Sequence, residues 1–272
     1  MLNVRRYSIL CAFALILLNG ACVTAPKAKN PPYSQRHYTF SVLLSPEKPS
    51  NSPKLDIAMS LLQIENSAKQ MEYLGGVLYS TANLDEYKDH IIREQRKNYR
   101  DKMAEAVKFG LDNAASNNWW YSETINIKRL QGQGIVVERD FNIYSGGAHP
   151  TRHKRYYVLD MDDHRQLRID DIFASYQEER RLRGIIYEEL RKYSKLNRNQ
   201  PLSEGIFFSN EPELTYNFFI TDEGLGLHWS PYQIAPYVQG DIEIILPWEL
   251  IRPLMLSPGI ELLTKFNIHL FM

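Results

Sequence analysis

The segment Tyr144-Ser145-Gly146-Gly147-Ala148-His149-Pro150 stands between two apolar stretches, and that arrangement constrains the chain more than anything else in it. Before it, Ile135, Val137, Phe141 and Ile143 alternate with polar residues, as a half-buried strand requires. After it, Tyr156 to Met161 reads as a second strand. Adjacent glycines free φ in a way no side-chain-bearing residue allows, so the chain turns sharply or lets a ligand approach its main-chain amides. Both uses of Gly146 and Gly147 stay open, as does a purely structural role for His149.

Further alternation surrounds this turn. Ile125 and Ile127 precede Gln131-Gly132-Gln133-Gly134, so the chain from 125 to 143 reads as an antiparallel hairpin. Leu214, Tyr216, Phe218 and Ile220 form another strand, which turns at Asp222-Glu223-Gly224 into Leu225, Leu227 and Trp229. Ile242, Ile244 and Leu246 add one more, followed by a short helix from Pro247 to Met255. Tyr38 to Leu44 is a first strand, and Leu55 to Tyr79 fits strand and helix equally.

Helical spacing marks two longer segments. Leu84, Tyr87, Ile91, Tyr99, Met103, Val107 and Leu111 recur at sums of three and four. Ile172, Phe173, Tyr176, Ile185, Ile186, Leu190 and Tyr193 repeat the pattern, with Asp170 and Asp171 placed to cap the helix N-terminus. Glu179 with Arg183 and Glu188 with Lys192 are candidate i,i+4 pairs. The predicted class is α+β, with a mainly antiparallel sheet and two longer helices packed on one face.

The N-terminus reads as an export signal over residues 1–21. Arg5 and Arg6 supply the basic start, Ile9 to Leu18 the apolar core and Asn19-Gly20-Ala21 the small residues before cleavage. The apolar core falls short of the roughly 20 residues a transmembrane helix needs. Leu18-Asn19-Gly20-Ala21-Cys22 resembles a bacterial lipoprotein box, with Asn19 where an aliphatic residue is usual. Cys22 is therefore the candidate lipidation residue; ordinary signal cleavage beside an incidental cysteine is the alternative. Acylation contributes about 0.8 kcal/mol per buried methylene, enough for several chains to anchor the protein. Val23 in place of aspartate favours the outer membrane, facing periplasm or surface. Residues 22–34, with Pro26, Pro31 and Pro32, form a semi-extended tether.

Composition narrows the function classes. Cys11 leaves with the signal, so no internal disulfide or thiolate metal site is expected in an exported domain of this kind. Losing Arg5 and Arg6 takes the formal net charge from zero to minus two, so nucleic acid is not an expected partner. His149 and His153 are four apart, but Pro150 between them prevents a shared helix face, and no metal site is assigned. Ser145 lacks a G-x-S-x-G elbow, and no catalytic residue or cofactor is assigned. As a general base His149 would need a partner carboxylate, for which Asp160, Asp170 and Asp222 are the candidates. In Ser230-Pro231-Tyr232-Gln233-Ile234-Ala235-Pro236-Tyr237, the prolines stiffen a loop whose Tyr232 and Tyr237 either face a ligand or roof the sheet.

Residues 135–255 resemble the RsiV-type extracellular domain, a bacterial domain of unknown function. The match runs through Phe141-Asn142-Ile143-Tyr144-Ser145-Gly146-Gly147-Ala148-His149 and Leu167-Arg168-Ile169-Asp170-Asp171-Ile172-Phe173. It continues from Phe218 through Tyr232 and Tyr237 to Gly240, then over Glu243 to Leu250. The resemblance implies an α/β module at the cell envelope; family members include lysozyme receptors on anti-sigma factors and partners of peptidoglycan deacetylase domains. It divides the chain into a variable N-terminal half (35–134), the RsiV-type domain (135–256) and an extension (257–272) read as an added strand. The expected function is non-catalytic binding of a lysozyme-like protein or cell-wall fragment, with Tyr144, Gly146, Gly147, His149, Tyr232 and Tyr237 as ligand-binding residues. A cell-wall hydrolase or deacetylase relative using His149 and a structural envelope lipoprotein are the alternatives.

Overall fold

A computed structural model describes residues 33–110, 117–174, 176 and 180–270. The expected signal, Cys22 and the tether up to residue 32 lie outside these residues. The described chain begins directly in strand β1 (Tyr33–Leu43), which pairs antiparallel with β2 (Lys54–Ile64). In β2, Leu55, Ile57, Met59 and Leu61 are buried while Asp56 and Ala58 are exposed. This period of two breaks at Leu61 and Leu62, both buried; the strand ends at Ile64, and Ser67 then caps helix α1 (Ala68–Tyr79) by accepting the Gln70 amide at 3.3 Å. The segment compatible with strand or helix is thus one of each.

Helix α2 (Leu84–Lys108) starts at Asn83, whose side chain accepts the Asp85 and Glu86 amides. Those two acids suit the positive end of the helix dipole. Leu84, Tyr87, Ile91 and Tyr99 are buried as their spacing predicts. Val107, by contrast, is 67% exposed, and Ala106 holds the buried position one residue earlier.

Strands β3 (Trp119–Gln131), β4 (Gly134–Tyr144) and β5 (Thr151–Asp160) form the expected meander, with the short β6 (Arg165–Gln166) beyond. The six strands lie in the order β1-β2-β3-β4-β5-β6, antiparallel except for the β2–β3 pair, which the α1–α2 crossover makes parallel. A second sheet holds β7 (Phe218–Ile220), β8 (Gly224–Trp229) and β9 (Ile242–Pro247), antiparallel throughout. The α+β class with mainly antiparallel pairing is therefore observed.

The large sheet is buried on both faces at its centre. Ile135, Val137, Tyr157 and Leu159 join the core under α1 and α2, whereas Val136, Tyr156 and Val158 face a second core. That is why β4 and β5 carry consecutive apolar residues where one buried face would give strict alternation. The second core contains the small sheet and α3 (Arg180–Tyr193), through Leu182, Ile186 and Leu190. The two longer helices are divided between the two cores. The boundary anticipated at residue 134/135 falls at the β3–β4 turn, within one sheet.

Four local expectations are corrected. Asp170 and Asp171 lie in a 3-10 turn over Ile169–Asp171, and α3 begins only at Arg180. Asp171 accepts the Arg168 amide at 2.7 Å and pairs with Arg165 at 2.5 Å, so it caps the short turn instead. In α3 the ion pairs are i,i+3, Arg191 to Glu188 and Lys192 to Glu189, in place of Glu188 with Lys192; Glu179 is outside the described residues. Tyr216 is 56% exposed and outside β7, because Asn217 turns its side chain into the edge of β5. The tail after α4 (Trp248–Ile251) is helix α5 (Ser257–Thr264), not a strand. It docks through the Lys265 carbonyl, which accepts the Gln133 and Gly134 amides, and through Phe266, packed where a Cβ on Gly134 would overlap its ring.

Candidate functional site

The loop between β4 and β5 is held at its base. Gly146 and Gly147 take φ of +89° and +106°, which side-chain-bearing residues rarely adopt. The Tyr144 hydroxyl donates to the Gly147 carbonyl at 3.2 Å, closing the loop. Lys102 on α2 donates to the Ser145 carbonyl at 3.1 Å and to its hydroxyl at 2.7 Å, tying the loop to the helix. His149 is left exposed at the loop's outer end.

The loop after β8 meets it there. Ser230 and Gln233 bond each other, the Ser230 amide reaching the Gln233 side chain at 2.5 Å. Ile234 and Ala235 are buried as plugs, and the Ile234 carbonyl accepts the Phe208 amide at 3.0 Å. With its middle anchored, the loop projects Tyr232 and Tyr237. Tyr232 sits at φ +71°, a conformation that costs free energy in a non-glycine residue and persists only where its surroundings impose it.

His149 packs flat on Tyr237, ring centroids 4.1 Å apart and planes 16° apart. Its Nε2 lies 3.1 Å from the Tyr232 hydroxyl, and Nδ1 lies 3.2 Å from the Pro150 carbonyl. A carbonyl only accepts, so the network assigns the proton to Nδ1 and leaves Nε2 to accept from Tyr232. Tyr232 is 56% exposed, and Val238 beside Tyr237 is 84% exposed. Of the six residues singled out from the sequence, Tyr144 ends β4 and the other five lie on two loops that touch. Sequence reasoning missed Trp120, 36% exposed and stacked on Tyr144 at 6.4 Å. The signal was available: in Trp119-Trp120 on a strand, one ring must point outward.

A polar cluster lies in the second core, between β4, β5, β8 and β9. His228, fully buried, places Nδ1 at 3.0 Å from Glu243, and Tyr156 brings its hydroxyl to 2.8 Å from both Glu243 and Glu138. Lys154 lies 3.4 Å from Glu243 and 3.6 Å from Glu138 and from Asp241. The hydrogen bond from His228, helped by Tyr156 and Lys154, overcomes burial and holds the Glu243 carboxyl at about 2. Burial, with two carboxylates alongside, pushes the Tyr156 phenol well above its ordinary value. Along β8 and β9 the period of two puts His228 and Glu243 on the faces opposite the apolar residues, and the packing of the two sheets buries His228 fully while the Glu243 side chain stays 36% exposed.

This cluster borders a cavity of about 470 Å³, walled by Lys154, Tyr156, Asn217 and Ser230. Glu138 and Glu243 are not part of its wall, so the paired carboxylates face each other and Tyr156 and not the opening. The side-chain amide of Asn217 accepts the Tyr156 amide and donates to the Lys154 carbonyl, both at 2.8 Å, replacing a strand partner along that edge. Of the candidate carboxylate partners of His149, Asp160 is bonded to Lys265 and Asp222 to Arg129, and neither bonds the imidazole. His153 stacks on Phe141 at 5.2 Å, away from His149's partners. Among the described residues no three His, Cys, Asp or Glu side chains are grouped to hold a metal ion.

Residues 170–249 match the family model described as DUF3298, a protein of unknown function. No curated protein is a significant match to the chain. Among solved structures, the chain is similar to a DUF3298 family member from Bacteroides fragilis at 20% identity and a TM-score of 0.68, covering 84% of this chain and 94% of that one. It is also similar to a DUF3298 family protein from Pseudomonas aeruginosa at 16% identity and a TM-score of 0.54, covering 84% and 96%. At these identities the likeness is one of fold: the chain shares its architecture with solved DUF3298 family members, and residues 170–249 match that family's model.

Proposed function

We propose that this is an envelope lipoprotein, anchored through Cys22, whose DUF3298 domain binds a lysozyme-like protein with no chemistry of its own. One observation carries the binding reading: His149, Tyr232 and Tyr237 converge from two anchored loops into an exposed, pre-arranged aromatic surface. Aromatic side chains offer large contact area with few rotatable bonds, and a surface held before binding loses little entropy when it docks. The RsiV-type resemblance supplies the partner class, and the signal-like N-terminus supplies the address. A cell-wall fragment is the second partner that exposed ring faces support.

The test is a calorimetric titration of residues 23–272 against c-type and g-type lysozymes, with Tyr232→Ala alongside. Saturable binding at micromolar affinity or tighter, weakened at least tenfold in Tyr232→Ala, is the expected result. Absence of heat with every lysozyme removes that partner. Labelling with radioactive palmitate in a Gram-negative host tests the anchor, and incorporation that survives Cys22→Ala would sink it.

A further inference from the structure

His228 stands where the buried cluster meets the aromatic surface, and the two sides compete for its ring. It is fully buried, and its Nδ1 lies 3.0 Å from the Glu243 carboxylate, so Nδ1 carries a proton and donates it. Its Nε2 faces two groups, the Ser230 hydroxyl at 3.3 Å and Asp241 Oδ1 at 3.8 Å. Asp241 Oδ1 is buried and has no hydrogen-bond partner among the described residues. The other oxygen of the same carboxylate is held by Arg152 at 3.3 Å and Lys154 at 3.6 Å. A buried carboxylate oxygen without a donor costs free energy, and His228 Nε2 stands only about 1 Å beyond ordinary hydrogen-bond length from it.

We infer that His228 is a proton-operated switch on the aromatic surface, holding the Tyr232 loop when neutral and releasing it when charged. As regulation of that surface, the switch rests on the binding reading above. In the neutral ring Nε2 is an acceptor, and the Ser230 hydroxyl donates to it. A proton from solvent turns Nε2 into a donor, with no other covalent bond made or broken. The Ser230 hydroxyl then loses its acceptor, and Asp241 Oδ1 gains the donor it lacks.

Ser230 transmits the change. Its hydroxyl accepts the Lys154 amide at 3.4 Å, its own amide donates to the Gln233 side chain at 2.5 Å, and its carbonyl accepts the Gln233 amide at 3.1 Å. Tyr232 lies between these two anchors at φ +71°, so whatever holds Ser230 and Gln233 also holds the strain at Tyr232. Once that strain relaxes, the Tyr232 hydroxyl leaves His149 Nε2, now 3.1 Å away.

The proton on His228 answers to charges from three strands. Asp241, just before β9, and Glu243 within it lie closest to the ring. Glu138 and Asp140 come from β4, where they pair with Lys154 and Arg152 of β5. Tyr156 of β5 stands edge-on to the imidazole, with centroids 5.7 Å apart. The carboxylates stabilise a charged ring, while burial and the two cations oppose it.

The experiment follows the NMR amide resonances of Ser230, Tyr232 and Gln233 in the isotope-labelled full chain between about pH 8 and about pH 5, the range in which histidines change charge. A His149→Ala background removes the surface imidazole, which also bonds Tyr232. The three amides are expected to shift together in one transition. In His228→Gln, whose amide donates to Glu243 and accepts from Ser230 without taking up a proton, they are expected to stay still. Asp241→Asn leaves the ring in place and removes the charge that receives Nε2–H, so the transition should move to lower pH. Amides that do not shift, that still shift in His228→Gln, or whose transition is unmoved in Asp241→Asn overturn the switch. The lysozyme titration, repeated at both ends of the range with His149 in place, should weaken about tenfold or more at the acid end and lose most of that dependence in His228→Gln. A loop that titrates while no lysozyme binds keeps the switch and removes the partner. Binding to a loop that does not titrate overturns the switch and keeps the partner.

Discussion

The imidazole of His149 lies on the ring of Tyr237 with centroids 4.1 Å apart, although the two residues belong to loops at the ends of different sheets. Because the pair is exposed, its contribution to folding is small: a stacked aromatic contact adds about 0.5–1.5 kcal/mol. His149→Ala is therefore expected to cost no more than about 1 kcal/mol in urea denaturation while weakening partner binding at least tenfold. A loss of folding stability well above that, with binding intact, would show the contact to be structural.

Gly147 separates backbone strain from crowding. No atom lies within 4 Å of where its Cβ would be, yet its φ is +106°. Gly147→Val is expected to destabilise the protein by about 1–3 kcal/mol through backbone strain alone, and to displace His149 from Tyr237. Hydrogen exchange at Ala148 and His149 measures the second effect; unchanged protection there would show that the loop absorbs the valine.

Glu243 makes stability depend on acid. Its folded pKa, about 2, lies below the ordinary 4.5, so ionised Glu243 favours the folded state. The contribution is complete above pH 4.5 and is lost as the pH falls towards 2. Since the carboxylate is partly solvated, Glu243→Gln is expected to cost about 1–2 kcal/mol at neutral pH, less than the pKa difference alone implies. The gap between wild type and variant should close between pH 4.5 and 2. A gap that is constant with pH assigns the loss to packing.

Phe266, fully buried, seats the C-terminal extension against Gly134. Phe266→Ala is expected to cost about 3–5 kcal/mol, the range for deleting a buried phenylalanine side chain. Removal of residues 257–272 should cost at least as much. Thermal melts of the two variants decide this, and a truncated chain that melts with the wild type would mark the extension as an appendage.

Much of the scaffold was legible because its causes are local. Alternation in β4 and β8, the 3–4 spacing in α2 and the glycine turns each report a backbone preference that neighbours in sequence create. The helix proposed from Asp170 failed for a reason equally local to the structure. Ile172, Phe173 and Tyr176 are buried in the second core without helical geometry, so apolar spacing there reflected packing and not period. Asp171 had a nearer use, capping the turn at Arg168 and pairing with Arg165.

By itself the sequence determined the coiling of α2, the extension of β4 and β8, and that Gly146, Gly147, His149, Tyr232 and Tyr237 belong to stiff or glycine-rich loops, since φ restriction and side-chain periodicity act over a few residues. Only the tertiary structure decided that His149 and Tyr232, 83 residues apart, share a hydrogen bond. It also decided that His228, Tyr156, Glu138 and Glu243 form one network and that Phe266 completes the core at Gly134. The His228–Tyr156–Glu138–Glu243 network depends on β4 and β5 packing against β8 and β9, and the burial that strengthens it exists only once both sheets are in place.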